Sequence, residues 1–102
     1  MINQLEENDL RQLLSKDTNI VQFTAGWCGH LCKQMSRKFE KMSDEFSTVN
    51  FITIDLGKFP EARNFAKIHS LPTYACFKGH VLESQIQTSK EDVLYNFVHQ
   101  SI

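Results

Sequence analysis

The sequence lacks the features of several large protein classes. It contains no run of about 18 apolar residues, the length that a membrane-spanning helix needs, and its first seven residues have neither the basic start nor the apolar stretch of a signal peptide. Three cysteines are too few for a disulfide-stapled secreted scaffold. With 11 Lys and Arg against 12 Asp and Glu, the basic excess of nucleic-acid-binding proteins is also missing. We therefore expect a cytoplasmic protein that binds neither membranes nor nucleic acids.

No internal repeat, low-complexity tract or flexible linker divides the chain. A chain of 102 residues removes roughly 60–70% of its unfolded surface from water, which is enough for one core but not for two. The fractions of hydrophobic residues (41%) and charged residues (23%) are those of an ordinary globular protein. The sequence therefore predicts a single domain over residues 1–102.

The pattern of apolar residues predicts strands that alternate with helices. Short β-branched and aromatic runs predict strands at 2–5, 20–24, 51–56, 74–77 and 81–86, the last two joined by a hairpin turn. Helical spacing predicts helices from Asn8 or Asp9 to about Lys16 or Asp17, from Leu31 to Phe46, from Pro60 to about His69, and after Thr88, where Glu91 completes a capping box. The order β-α-β-α-β-α-β-β-α predicts an α/β fold with a mixed, partly parallel sheet and helices on both faces.

Two of the three cysteines lie where a predicted strand turns into a helix. Cys28 is in the turn and Cys32 is near the start of the helix, where free N–H groups and the helix dipole favour anions. A thiol at such a place has a lowered pKa and more of the reactive thiolate. Residues four apart on a helix have Cα atoms about 6 Å apart, within the range that a disulfide allows. The spacing therefore permits a dithiol that can close to a disulfide.

Helical phase predicts different roles for the two thiols. Cys32 lies about 20° outside the apolar arc of the helix, whereas Cys28 precedes the helix. We expect Cys28 to attack a substrate disulfide and Cys32 to resolve the resulting mixed disulfide. Gly29 gives the turn the freedom to present Cys28, and a protonated His30 would stabilise the thiolate. The third cysteine, Cys76, is in a predicted buried strand and is expected to serve packing alone.

These landmarks resemble the thioredoxin family, whose members carry Trp-Cys-Gly-Pro-Cys-Lys after the central strand. Here Trp27-Cys28-Gly29 and Cys32-Lys33 match, with His30-Leu31 between them. Further along, Leu71-Pro72-Thr73 is similar to the family's cis-Pro loop, which accepts the substrate backbone. The resemblance covers nearly the whole chain. It implies a thioredoxin fold and a protein-disulfide oxidoreductase. The site would be shaped by Trp27, Gly29, His30, Leu31, Lys33 and Gln22, with substrate contacts from Trp27, Leu71, Pro72 and Thr73.

The resemblance also implies the partners and cellular role. Substrates would be disulfide-containing proteins, and electrons would come from a separate donor such as thioredoxin reductase or glutathione. A chain of this length leaves nothing for a second domain that binds nicotinamide or flavin. We therefore expect a monomer without bound cofactor or metal that takes part in electron transport and in redox homeostasis.

Two departures from the family pattern bear on the chemistry. One extra residue separates the cysteines, so the family's reduction potential does not carry over. One interpretation is the Cys-Gly-His-Cys motif of protein disulfide isomerases with Leu31 inserted. Gln22 stands where the family places a buried Asp that helps to move the resolving thiol's proton, and an amide is no general base near neutral pH. We therefore expect slower resolution at Cys32, or assistance from water or His30.

Two functions of other classes remain as alternatives. Copper-delivery proteins of the same fold use Cys-x-x-x-Cys with a distant His, and thiolates suit Cu(I), although no His here can be assigned as a ligand. A redox-inert adaptor would instead dock partners on the surface around Trp27 and Pro72. Bound metal after purification under reducing conditions would identify a copper-delivery protein. Partner binding by a chain in which Ser replaces both cysteines would identify an adaptor.

Overall fold

The computed structural model of the chain describes residues 2–6, 10–15 and 17–102. Its strands are β1 (Ile2–Gln4), β2 (Thr18–Thr24), β3 (Asn50–Asp55), β4 (Thr73–Lys78) and β5 (Val81–Gln87). Its α-helices are α1 (His30–Glu45) and α2 (Glu91–Ser101), and short 3-10 helices occupy Leu10–Gln12, Gly26–Cys28 and Pro60–Phe65. No helix within the described ranges is both long and apolar enough to cross a membrane.

The five strands form one mixed sheet in the order β1-β3-β2-β4-β5. Both β1 and β2 run parallel to β3, whereas β4 runs antiparallel to β2 and to β5. The predicted mixed sheet is therefore confirmed. The middle strand, β2, is rich in β-branched and aromatic residues and is buried along most of its length. Because β2 is central, the segment that follows it leaves the sheet near the middle of one end.

Apolar side chains pack on both faces of the sheet. On one face, α1 and α2 cover a core centred on Phe39, whose ring centroid lies 5.0 Å from that of Phe51 and 5.4 Å from that of Tyr74. The other face is covered by residues of the first and third 3-10 helices, which include Leu10 and Ala62. Helical segments therefore lie on both faces as predicted, but those of the second face are short 3-10 helices.

The helix predicted over 60–69 is wrong in type and in length, because the chain forms only the 3-10 helix Pro60–Phe65. Beyond it, Ala66 is extended. Both backbone polar groups of Lys67 bond to the side chain of Gln85 rather than to a helix. Since this pairing joins residues 18 positions apart, no local pattern in the sequence indicates it.

The first predicted helix is described only in part. Its predicted start, at Asn8 or Asp9, and Lys16 near its predicted end lie outside the described residues. Between them the chain forms the 3-10 helix Leu10–Gln12, closed by a hydrogen bond of 2.9 Å from the Leu13 N–H to the Leu10 carbonyl. Leu10 is fully buried, but the 3-10 helix ends at Gln12, so the helix predicted up to about Lys16 or Asp17 is too long.

The predicted capping box before α2 does not form. The hydroxyl oxygen of Thr88 accepts the N–H of Lys90 at 3.0 Å, and the N-terminal cap of α2 has no side-chain hydrogen bond. Thr88 therefore stabilises the turn that leads to the helix, a common use of a threonine hydroxyl, rather than the helix end itself.

Asn19 is a fully buried polar residue that joins three parts of the fold. Its Nδ2 donates to the carbonyls of Phe77 at 3.1 Å and Gly79 at 3.3 Å. Its Oδ1 accepts the N–H of Ser15 at 2.8 Å and the Nδ2 of Asn50 at 2.9 Å. One carboxamide thus ties the end of β4 and the start of β3 to the segment before β2. Removing it leaves the buried carbonyl of Phe77 and partly buried groups of Ser15, Asn50 and Gly79 without this partner, which is the costly case for a hydrogen-bond network.

We predict that Asn19→Ala lowers the free energy of unfolding by about 2–3 kcal/mol, because buried donors and acceptors lose their partner. Urea unfolding followed by the fluorescence of Trp27 measures the change. Asn64→Ala is the matched control: Asn64 is exposed, so its replacement should alter stability by less than about 0.5 kcal/mol. Equal losses in the two variants would contradict the role assigned to Asn19.

Candidate active site

A turn at the end of β2 carries the cysteine pair. The 3-10 helix Gly26–Cys28 leads into Gly29, whose φ of +70° lies in the left-handed region that favours glycine. The α1 helix begins at His30, so Cys32 is in its first turn and Cys28 precedes it. A disulfide joins Cys28 to Cys32, whose Cα atoms lie 5.7 Å apart. The ring closure that the spacing permits is therefore present.

The two cysteines of the disulfide differ in their exposure to solvent. Cys32, in the first turn of α1, is 4% exposed, whereas Cys28 is half-buried. Two large apolar side chains beside the cysteines face water: Trp27 is 67% exposed and Leu31 is 42% exposed. A Cβ at Gly57 would lie 3.5 Å from the Trp27 ring, so the indole lies against the loop that follows β3. The disulfide is therefore more exposed at Cys28 than at Cys32.

The ring of His30 lies along α1. Its Nε2 is 3.1 Å from the side-chain nitrogen of Gln34, one turn further along the helix. The assistance expected from a protonated His30 stays a prediction.

Gln22 is buried beneath α1 in a network of hydroxyl groups. Its Oε1 accepts from the hydroxyls of Thr53 at 3.0 Å and Ser36 at 3.3 Å, and its Nε2 donates to the hydroxyl of Tyr74 at 2.9 Å. Burial raises the pKa of Tyr74 to about 12, and the bond from Gln22 lowers it by less. The network is therefore uncharged near neutral pH. Ser36 lies one turn after Cys32, so its hydroxyl links Gln22 to the helix that carries the buried thiol.

Two open cavities border this region. One of about 300 Å³ is lined by Cys32 and Ser36 together with Lys33, and the other, of about 450 Å³, is lined by Gln22 and Ser36 together with Thr53. Both are far larger than the space that one water molecule needs. Solvent therefore reaches the surroundings of Cys32 and of Gln22 from the side.

The loop before β4 lies at the same end of the sheet as the cysteine turn. Its Leu71-Pro72 peptide bond is cis, as the family resemblance implies. Thr73 pairs with Phe23 of β2, which places the loop beside the end of the strand that leads to the cysteines. The Thr73 hydroxyl donates to the Ser70 carbonyl at 2.6 Å. The loop is thus closed by one of its own side chains.

The third cysteine takes no part in this site. Cys76 is a free thiol that is fully buried in β4. Burial raises its pKa, and a hydrogen bond with Ser101 lowers it by less. It is therefore a protonated packing residue near neutral pH, as the sequence predicts. Across the ranges that the structure describes, no group of three or more His, Cys, Asp or Glu side chains could hold a metal ion.

The structure brings most of the predicted site residues to one end of the sheet. Lys33 lines the cavity beside Cys32, and the buried Gln22 lies below the site with its hydroxyl partners. Those partners are what the sequence analysis missed. The spacing of four residues between Cys32 and Ser36 on one helix was the available signal, because residues one turn apart share a face. Nothing local in the sequence indicates the other two hydroxyls.

Comparison with known proteins decides the family. The family model for thioredoxin matches residues 2–100. The chain belongs to the thioredoxin family. It is similar to thioredoxin-3 of Dictyostelium discoideum, with 26% identity over 102 residues that cover 100% of this chain and 97% of that protein. It is also similar to a thioredoxin of Mycoplasma genitalium, with 37% identity over 73 residues, 71% of each chain.

Solved thioredoxin structures share the fold. The thioredoxin of Malassezia sympodialis superposes with a TM-score of 0.89 at 23% identity, covering 99% of this chain and 90% of that one. The oxidised thioredoxin of Plasmodium falciparum gives 0.85 at 22% identity, covering 98% and 97%. The predicted thioredoxin fold is confirmed. As a thioredoxin-family member with a redox-active cysteine pair, the chain is a thiol-disulfide oxidoreductase that acts on disulfide-containing proteins.

We predict that deletion of Leu31 moves the reduction potential of the cysteine pair to roughly −180 mV, because it creates the Cys-Gly-His-Cys motif of protein disulfide isomerases. Equilibration with glutathione measures the potential, and a shift of about 30 mV or more from that of the native chain is expected. Leu31→Ala is the control, since it removes the side chain but keeps the spacing, and should change the potential by less than about 10 mV. An unchanged potential after the deletion would show that spacing does not set it.

Proposed function

We propose that the chain exchanges disulfides with proteins through a mixed disulfide, with Cys28 as the attacking thiol and Cys32 as the resolving thiol. The difference in exposure carries this assignment. A substrate disulfide can approach the half-buried Cys28, whereas only 4% of Cys32 is exposed. Position in the chain supports it too, since Cys28 precedes α1 and Cys32 lies within its first turn. One domain over residues 1–102 carries the whole reaction.

In the reducing direction, the Cys28 thiolate attacks one sulfur of the substrate disulfide, and the other sulfur leaves as a thiolate that takes up a proton. Cys32 then loses its proton and attacks the Cys28 sulfur. The bond between Cys28 and the substrate breaks, and the second substrate thiol is released. The substrate gains two electrons, and the pair is oxidised to a disulfide. The N-terminal end of α1 favours both thiolates through its free N–H groups.

The proposed substrate surface surrounds Cys28. Trp27 is exposed beside it, and the loop with Leu71, Pro72 and Thr73 lies at the same end of the sheet. We assign substrate binding to these four residues, and the shape of the site to Gly29, His30, Leu31, Lys33 and Gln22. Exposed apolar surface next to a reactive thiol suits a protein segment that carries a disulfide.

A separate donor completes the cycle. Thiol exchange needs no cofactor, so thioredoxin reductase or glutathione can return electrons to the Cys28–Cys32 disulfide. Both reacting thiols belong to one copy of the chain, so a monomer suffices. We propose the cytoplasm as its location, because thiol-reducing systems operate there, and electron transport and redox homeostasis as its role.

We predict that Cys32→Ser traps a mixed disulfide, because no second thiol can release the substrate from Cys28, and that Cys28→Ser abolishes the adduct. Mass spectrometry after reaction with a disulfide-containing protein such as insulin, under non-reducing conditions, detects it. Cys76→Ala, which removes only the buried thiol, should behave like the native chain. The reverse pattern, with the adduct formed at Cys32, would overturn the assigned roles.

We predict that Gln22→Asp speeds the release of substrate by Cys32 about tenfold or more near neutral pH, because a carboxylate at this place can accept the thiol's proton. Burial raises the pKa of such a group toward neutrality, and its neighbours Ser36 and Thr53 can donate hydrogen bonds to it. Stopped-flow measurement of the second thiolate released from dithiobis(nitrobenzoate) reports this step.

Gln22→Asn is the matched control, because it has the size of Asp but cannot ionise. It should release the second thiolate no faster than the native chain. If Asp and Asn give the same rate, the proton of Cys32 does not pass through position 22, and the amide there does not limit turnover.

A further inference from the structure

We propose that Gln85 is a positioning residue for substrate binding, because its side chain closes the base of the loop that carries the cis peptide bond. The inference rests on the proposed function, in which Leu71, Pro72 and Thr73 bind the substrate. Gln85 itself lies on β5, the edge strand of the sheet, and bonds to Lys67 at the base of the loop.

The side chain of Gln85 bonds both backbone groups of a single residue. Its Oε1 accepts the N–H of Lys67 at 3.0 Å, and its Nε2 donates to the carbonyl of Lys67 at 2.6 Å. A carboxamide offers one acceptor and two donor hydrogens, so it matches the N–H and C=O of a backbone residue in the way that a neighbouring strand does. Gln85 thereby extends the sheet edge by one residue without a further strand.

The backbone of Gln85 holds the other side of the same loop. It pairs with Ala75 of β4, which follows the cis bond, whereas Lys67 precedes that bond. One residue thus fixes the two ends of the segment 68–74. Inside this segment the Thr73 hydroxyl bonds the Ser70 carbonyl, which forms a second, inner closure. The loop is therefore held by two cross-links, an inner one from Thr73 at the start of β4 and an outer one from Gln85 of β5.

The outer closure matters because the segment before the cis bond has no regular structure. Residues 66–72 belong to neither a helix nor a strand, and Ala66 is extended. Ile68 and Leu71 are only half-buried against the core. In the described part of the chain, the two bonds from Gln85 are the hydrogen bonds that the backbone of Lys67 makes.

A loop that is held before the substrate arrives loses less conformational entropy on binding. Without the side chain of Gln85, the substrate would have to order residues 68–71 itself, so its affinity would fall. The thiols react on a different element, at the start of α1. The effect should therefore fall on KM for a protein substrate and leave the chemistry of Cys28 unchanged.

The test compares Gln85→Met, which keeps the length of the side chain but offers no matching hydrogen bonds, with Gln100→Met on the exposed side of α2. With a protein disulfide, Gln85→Met should raise KM about tenfold while kcat stays within about twofold. Its reaction with dithiobis(nitrobenzoate), too small to need the loop, should be unchanged. Hydrogen exchange at the amides of 67–71 should become about tenfold faster. Gln100→Met should alter none of these values.

Faster exchange with an unchanged KM would overturn the inference, because the contact would then be structural only. An equal loss with the protein and with the small reagent would also overturn it, since the effect would lie at the cysteines. If the native chain reacts with the small reagent but does not turn over a protein disulfide, the proposed function itself fails, and the assignment of Gln85 to substrate binding fails with it.

Discussion

The pairing of β2 with β3 on one side and β4 on the other is the constraint on which the active site depends. It buries the middle strand and directs the chain out of the sheet at one end, between the loop after β3 and the loop before β4. There the chain must reverse into α1, whose apolar side packs against the same sheet. The cysteines occupy this reversal, so the packing of the core determines where the disulfide meets solvent.

The same strand buries a polar side chain, whose hydrogen-bond partners are all uncharged. Gln22 is buried on the face that α1 covers, and the hydroxyls of Thr53, Ser36 and Tyr74 satisfy its amide. A carboxylate at this place would have to be desolvated, which costs several kcal/mol before any compensation. The uncharged amide avoids this cost, and it offers no base to Ser36, which lies one turn after Cys32.

Features that depend on neighbours in the sequence could be predicted, and those that depend on distant partners could not. The apolar spacing of Met35, Phe39 and Met42 predicted α1, and all three side chains are buried. The pairing of Lys67 with Gln85 just after the 3-10 helix that ends at Phe65 could not be predicted, because it joins residues 18 positions apart. The cysteine pair could be predicted, because its motif is local. The hydroxyls around the buried amide could not, because they come from three different elements.

The extra residue between the cysteines bears on the start of α1 rather than on the packing of the helix against the sheet. A residue inserted within a helix rotates everything after it by about 100° and would turn Met35 away from the core. Here the buried side of α1 begins at Cys32 itself, and Leu31 lies before it with 42% of its surface exposed. Gly29, with its positive φ, lies in the turn between Cys28 and α1. Met35, Phe39 and Met42 are all buried, so the helix packs on the core with three residues between the cysteines. The spacing therefore bears on the chemistry of the disulfide rather than on the fold.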